Sequence, residues 1–211
     1  MLWMYAVCAL ALLVCLPCFM HYKGKLRYRL AASYKALGTL CAASLALIAA
    51  IRLDDHCWIC FAGLLLHAAA DFVLEFHLYF GAGLFLAGHI CYIGFFAALF
   101  PVSGTHLILF LGLAAISAFL LWRWRGNLGK QLPVYALYAV ILSVMCAFAI
   151  AGLTAHTLQG ILTAVAGALF YLSNALMLGR QLFTAGTAVN WIIMITYYAA
   201  QLLFGISCLL S

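Results

Sequence analysis

The sequence predicts an all-α fold, a polytopic membrane protein built as a bundle of about eight transmembrane helices. Three observations carry this. The chain is 70% hydrophobic and 7% charged over 211 residues, with a mean hydropathy of +1.21, which leaves too few charges to cover a water-facing globule. Its apolar runs are near the ~20 residues that cross a bilayer as a helix. Those runs are continuously apolar and lack the alternation of lipid-facing and lumen-facing residues that barrel strands show, so helices satisfy the backbone.

In chain order the spans are read at 2–20, 31–51, 56–76, 80–99, 105–122, 132–152, 157–178 and 187–209. The first resembles a secretory leader, but no Lys or Arg precedes it, no small-residue cleavage pattern follows, and the basic cluster comes after it; it is read as a retained span. The connections are short and leave no soluble domain, so residues 1–211 read as a single integral membrane domain. The net charge of +6 is distributed by topology. Lys23, Lys25, Arg27 and Arg29 follow span 1, Arg123, Arg125 and Lys130 follow span 5, and Arg180 follows span 7. Eight of the ten positive residues thus fall on one side of an eight-span chain, with Arg52 opposite and Lys35 inside span 2. The positive-inside rule makes those loops cytoplasmic and puts both termini outside the cytoplasm. Basic loops of this kind orient the chain and meet anionic membrane lipids, and no nucleic acid partner is expected.

Nine cysteines include two CxxC pairs, Cys15/Cys18 and Cys57/Cys60. The topology places the pairs at opposite ends of the bundle, which excludes one four-thiolate zinc site. They read as small apolar residues, and no metal or cofactor is expected.

Asp71 is the most informative residue. Only four carboxylates exist, and this one lies inside an apolar span, where a charge costs a few kcal/mol and usually marks a protein interior or a wet cavity. His67, Asp71 and Glu75 recur at i, i+4 and i+8 on one stripe. Lys35 lies at a similar depth on span 2, His89 sits near the middle of span 4 with Tyr92 one turn beyond, span 7 carries Ser173 and Asn174, and span 8 carries Asn190, Tyr197, Tyr198 and Gln201. Most of these polar groups lie in the cytoplasmic half. Each has a plain packing alternative, such as interhelical hydrogen bonds for Ser and Asn or snorkelling for Lys35 and Glu75; their clustering across five spans favours a shared site.

The ordered set Asp71-Phe-Val-Leu74, Phe80-Gly-Ala-Gly-Leu-Phe85, His89-Ile-Cys-Tyr92, Gly167-Ala-Leu-Phe170, Ser173-Asn174 and Tyr197-Tyr198-Ala-Ala-Gln201 resembles the YhhN/TMEM86 family of membrane lysoplasmalogenases across nearly the whole chain. The resemblance implies an eight-span hydrolase that cleaves the vinyl-ether bond of lysoplasmalogens to a fatty aldehyde and a glycerophospho-headgroup. Two positions depart from that family's pattern: Asn174 stands where a second acid is common, and Lys35-Ala36 where Lys-Pro is common. An amide cannot act as a general acid, so the site works through Asp71 with a neighbour such as Glu75 or His89, or its activity is altered.

Asp71 and Asn174 are 103 positions apart, near half the chain. This spacing suggests a parallel four-plus-four repeat whose halves face each other across an axis along the membrane normal. Vinyl-ether hydrolysis needs a proton delivered to carbon and a counter-charge for the resulting cation. The residues assigned to catalysis are Asp71, Asn174 and His89, with Asp71 as proton donor. Lys35, Glu75, Ser173, Tyr92, Asn190, Tyr197, Tyr198 and Gln201 are assigned to binding of a lysophospholipid substrate. Lys35, and secondarily Arg180, are expected to hold its phosphate, and Glu75 an ethanolamine or choline cation. No serine nucleophile elbow or phosphate-cradling glycine loop is present. A proton-coupled lipid transporter, or a family member that binds lysolipid without turning it over, fits the same residues; aldehyde release separates them.

Overall fold

The computed structural model describes residues 2–183 and 186–210. Eight long helices account for most of them: α1 Leu2–Gly24, α2 Tyr28–Arg52, α3 Cys57–Val73, α4 Leu78–Leu99, α5 Gly104–Arg123, α6 Leu132–Ala151, α7 Leu158–Leu182 and α8 Thr187–Ser207. A helical turn at Arg125–Leu128 and a 3-10 turn at Gly129–Gln131 join α5 to α6, α1 is π-helical over Leu10–Cys15, and no strand occurs among the described residues. The observed helices begin and end within a few residues of the hydropathy-based spans. Seven are long and apolar enough to cross a membrane, and α3 has 17 residues. Because α3 stops at Val73, Asp71 sits in its last turn and Glu75 lies just beyond the helix, in the turn before α4.

Local chemistry sets several boundaries. Thr157 caps α7 by accepting a hydrogen bond from Gly160 N at 3.0 Å, and Ser103 with His106 forms a capping box on α5. In the turn before α3, Asp54 accepts hydrogen bonds from the His56 backbone N–H and ring at 2.8 and 2.7 Å. The backbone bond, followed by the ring, holds the Asp54 carboxyl below its ordinary value.

Neighbouring helices pack in sequence within α1–α4 and again within α5–α8, and the two quartets meet mainly along two seams, α2 against α8 and α4 against α6. Advancing every helix by four exchanges these seams, so the packing pattern has the parallel four-plus-four form. Close approach in the first quartet uses small side chains: Ala31, Ala32, Ala42, Ala43, Ala46, Ala49 and Ala50 of α2 are all buried.

Contacts between the turns gather the ends of α1, α3, α5 and α7 together. Lys23 at the end of α1 forms an ion pair with Glu75 after α3, and Trp124 after α5 packs edge-on against Phe183 after α7, with ring centroids 5.6 Å apart. The basic clusters therefore lie at one end of the bundle, and the α2–α3 turn with Arg52 and Asp54 lies at the other.

Candidate functional site

Asp71 is fully buried and ties three helices together. Its Oδ2 accepts hydrogen bonds from Thr39 Oγ1 on α2 at 2.5 Å and from the Tyr197 hydroxyl on α8 at 2.8 Å. Its Oδ1 faces the Lys35 ammonium at 3.0 Å in an ion pair and accepts no directed hydrogen bond. Lys35 and Thr39 lie one turn apart on α2 and so reach the carboxylate from the same face. The Lys35 ammonium is also 5.4 Å from the ring centroid of Tyr197 and 5.9 Å from that of Phe85, contacts that suit a desolvated cation. Lys35, expected at headgroup level, is thus buried and committed to Asp71. The reason is geometric: its side chain turns inward along α2 toward the only carboxylate at its depth.

A chain of buried polar contacts continues from this pair. Gln201 Nε2 donates to the Tyr197 hydroxyl at 2.9 Å and lies 2.8 Å from His67 Nδ1, while Gln201 Oε1 accepts from the Tyr92 hydroxyl at 2.8 Å. His67 Nε2 is 3.2 Å from His89 Nδ1, and His89 Nδ1 also contacts the Phe85 carbonyl oxygen. His89 Nε2 is buried with no hydrogen-bond partner, a lone polar atom of the kind that calls for a ligand or water. Two glycines make room for the rings. A Cβ at Gly88 would run into the His67 imidazole, and one at Gly38 would run into the Tyr198 ring. Tyr198 then reaches across α2, with its hydroxyl 3.2 and 3.3 Å from the Tyr34 and Lys35 carbonyl oxygens.

The second quartet carries a neutral counterpart. Tyr138 and Asn174 stand 103 positions after Lys35 and Asp71. Where the first two form an ion pair, the Tyr138 hydroxyl donates to Asn174 Oδ1 at 2.8 Å, and Asn174 Nδ2 donates to Phe170 O at 2.9 Å. At the same spacing Phe170 matches His67, and the two rings stack against each other with centroids 5.6 Å apart. Asp71 and Asn174 therefore occupy matching positions without bonding to each other; Tyr138, whose ring lies 5.5 Å from that of His89, connects Asn174 to the buried chain.

Beside this polar core lies an apolar cavity of about 140 Å³ between α4, α5, α6 and α7. Phe85, Tyr138 and Asn174 line it, along with Tyr135 and Gln181 toward the basic end. Asp71, Lys35 and His89 do not line it; Phe85, which touches both sides, separates the cavity from the ion pair.

The structure thus brings together Asp71, Lys35, Tyr92, His89, Tyr197 and Gln201, with Tyr198 bracing α2. Ser173 is a clamp, donating to Ile193 O on α8 at 2.9 Å. Glu75 is taken by Lys23, and Asn190 lies apart at the basic end. Thr39 and Tyr138 joined the network without being anticipated. His67, recognised as part of the Asp71 stripe but not assigned a role, is central to it.

No curated protein and no solved structure matches the chain. The model of the YhhN family covers residues 30–208, from the start of α2 to the end of α8 and thus the whole of this site, and the chain belongs to that family.

Proposed function

We propose that this protein is a membrane-embedded hydrolase of lysoplasmalogens, cleaving the vinyl-ether bond to a fatty aldehyde and a glycerophospho-headgroup. The observation that carries the reading is the buried Asp71–Lys35 pair, whose Oδ1 faces the ammonium and no hydrogen-bond donor besides, separated by one aromatic ring from a cavity suited to an alkyl chain. The pair holds one transferable proton, shared between carboxyl and amine in a low-dielectric interior. Displacement of the Phe85 ring admits the vinyl ether. The pair protonates the carbon β to the ether oxygen, which creates an oxocarbenium ion at the adjacent carbon. Having lost its proton, the pair now carries a negative charge directly opposite that cation, an electrostatic stabilisation that arises only in the reacting state.

Water then attacks the oxocarbenium carbon and passes a proton to His89 Nε2. This assignment uses the contact of His89 Nδ1 with the Phe85 carbonyl, which can only accept and so keeps that proton on Nδ1. The hemiacetal collapses: its hydroxyl proton returns to the Asp71–Lys35 pair, and His89 gives its proton to the departing glycerol oxygen. Every proton is accounted for and no metal or cofactor enters. Tyr138 and Asn174 hold neutral oxygens of the substrate, and the basic end faces the cytoplasm with both termini away from it.

The test is release of long-chain aldehyde from a lysoplasmalogen by the purified protein. Its absence under conditions where the protein is folded would reject the hydrolase reading. The buried line of polar side chains from Asp71 through Tyr197, Gln201 and His67 to His89 favours a second reading, a proton-coupled lipid transporter. That reading is supported if a pH gradient drives lysolipid uptake into proteoliposomes and no aldehyde forms.

A further inference from the structure

At the basic end a second cavity, of about 620 Å³, lies between the end of α1 and the α7–α8 corner. Lys23 and Arg180 line it, with Gln181, Thr187 and Asn190. Lys23 is held by Glu75, while no carboxylate among the described residues pairs with Arg180. One positive charge therefore stands uncompensated beside an open polar space. Asn190 Oδ1 is buried there with no hydrogen-bond partner. Gln181 lines both this cavity and the apolar one between α4 and α7, so its side chain, which accepts a hydrogen bond from the Tyr135 hydroxyl at 2.6 Å, is a wall common to the two spaces. From Gln181 to Asn174 is two turns of α7, roughly 10 Å at 1.5 Å per residue. That span is comparable with the glycerol unit that separates a phosphate from the first atoms of an ether-linked chain.

We propose that this cavity holds the phosphate of a single-chain phospholipid, gripped by the Arg180 guanidinium with Lys23 as the second cation, while the chain runs past Gln181 into the apolar cavity. A guanidinium presents a planar fork that matches phosphate oxygens. The Lys23–Glu75 pair keeps an ammonium at the rim, and Asn190 Oδ1 can accept from a headgroup hydroxyl or ammonium. Because Lys35 is consumed by Asp71, the headgroup is anchored at the bundle's end and the reactive bond is presented one glycerol length deeper. This inference rests on the lysolipid reading and adds to it the residues that recognise the headgroup.

Binding of non-hydrolysable ligands tests it independently of turnover. A fluorescent single-chain phospholipid is bound to the purified protein in micelles and displaced in turn by an alkyl-ether lysophospholipid, by a monoalkylglycerol of the same chain length, and by inorganic phosphate. The parent protein should prefer the phospholipid over the monoalkylglycerol by about tenfold or more, as a charge-assisted contact implies. Arg180→Gln should reduce that ratio to near one while leaving monoalkylglycerol affinity unchanged, the sign that the chain cavity is intact. If Arg180→Gln loses both ligands, Arg180→Lys carries the test: charge without the fork should give an intermediate ratio, and a ratio equal to the parent's would overturn the assignment. Equal binding of both lipids by the parent, or a preference that survives in Arg180→Gln, would also overturn it, as would displacement by inorganic phosphate as effective as that by the phospholipid. Aldehyde release with no phosphate preference would leave the hydrolase reading standing and remove only this anchor.

Discussion

Replacing Asp71 with Asn removes the only carboxylate that faces Lys35, and the structure sets the size of the effect. The Lys35 side chain is 8% exposed, so the ammonium has no route to water without repacking α2 against α8. Breaking a buried pair by deleting one partner costs about 3–5 kcal/mol. The asparagine amide can keep neutral hydrogen bonds to Thr39 and Tyr197, and the ring faces of Phe85 and Tyr197 soften the loss by about 1 kcal/mol. A net destabilisation of about 3 kcal/mol, roughly a hundredfold in the folding equilibrium, is expected for Asp71→Asn. Lys35→Met in the same chain removes the stranded charge and replaces it with an apolar side chain of similar length. Lys35→Met alone should cost a comparable amount by stranding Asp71, and the double variant should recover to within about 1 kcal/mol of the parent, a strongly non-additive double-mutant cycle. Denaturant titration of the four proteins in one detergent measures the cycle, and aldehyde release is assayed in parallel. Asp71→Asn and the double variant should be inactive despite their different stabilities, because neither holds a transferable proton at Oδ1. Additive costs, with no rescue in the double variant, would refute a charged buried pair.

Ala139 lies on the wall of the chain cavity, and Ala139→Phe should raise KM for long-chain substrates several-fold while sparing short ones; a uniform effect across chain lengths would put the chain elsewhere. Gly88→Ala forces a methyl group into the His67 ring, an overpacking worth about 1–3 kcal/mol, and should lower the thermal midpoint and slow turnover together, whereas an unchanged midpoint would show that the ring is free to move. Reporter fusions near Lys130 and after Leu210 should report opposite sides of the membrane, and matching signals would overturn the span count.

The helices were legible because their boundaries follow hydropathy, and the basic loops punctuate them. Asp71 was legible for the opposite reason, as a single carboxylate in an apolar run. Its partner was half legible: Lys35 could be placed at the right depth, but whether an inward lysine meets a carboxylate or a headgroup depends on how α2 is rotated against α3, which one sequence does not fix. Thr39 is a lone hydroxyl among alanines and signals nothing until Asp71 is seen beside it. His67 lies on the Asp71 stripe, yet its contacts to Gln201 and His89 are made across helices. Tyr138 had a signal that went unused, since the spacing that relates Asp71 to Asn174 also relates Lys35 to Tyr138. Asn174 was expected to face Asp71 from the matching position of a repeat, and the two share matching positions without bonding to each other: Asp71 is held by Thr39 and by Tyr197 of the other half, Asn174 by Tyr138 and Phe170 of its own.

Under the proposed function, the neutrality of the Tyr138–Asn174 pair bears on how the lipid would be oriented. Two identical half-sites would offer a ligand two equivalent poses related by the axis, and the headgroup could approach either. They would also place two desolvated ion pairs in one bundle, each carrying its own solvation penalty. With charge in one half and a hydroxyl–amide contact in the other, the interior acquires a direction. A polarised bond is drawn toward Asp71 and Lys35, and the uncharged remainder is left to the opposite wall. The amide at Asn174 can therefore serve as handedness within a nearly symmetric frame, giving the proposed single-chain substrate one productive orientation.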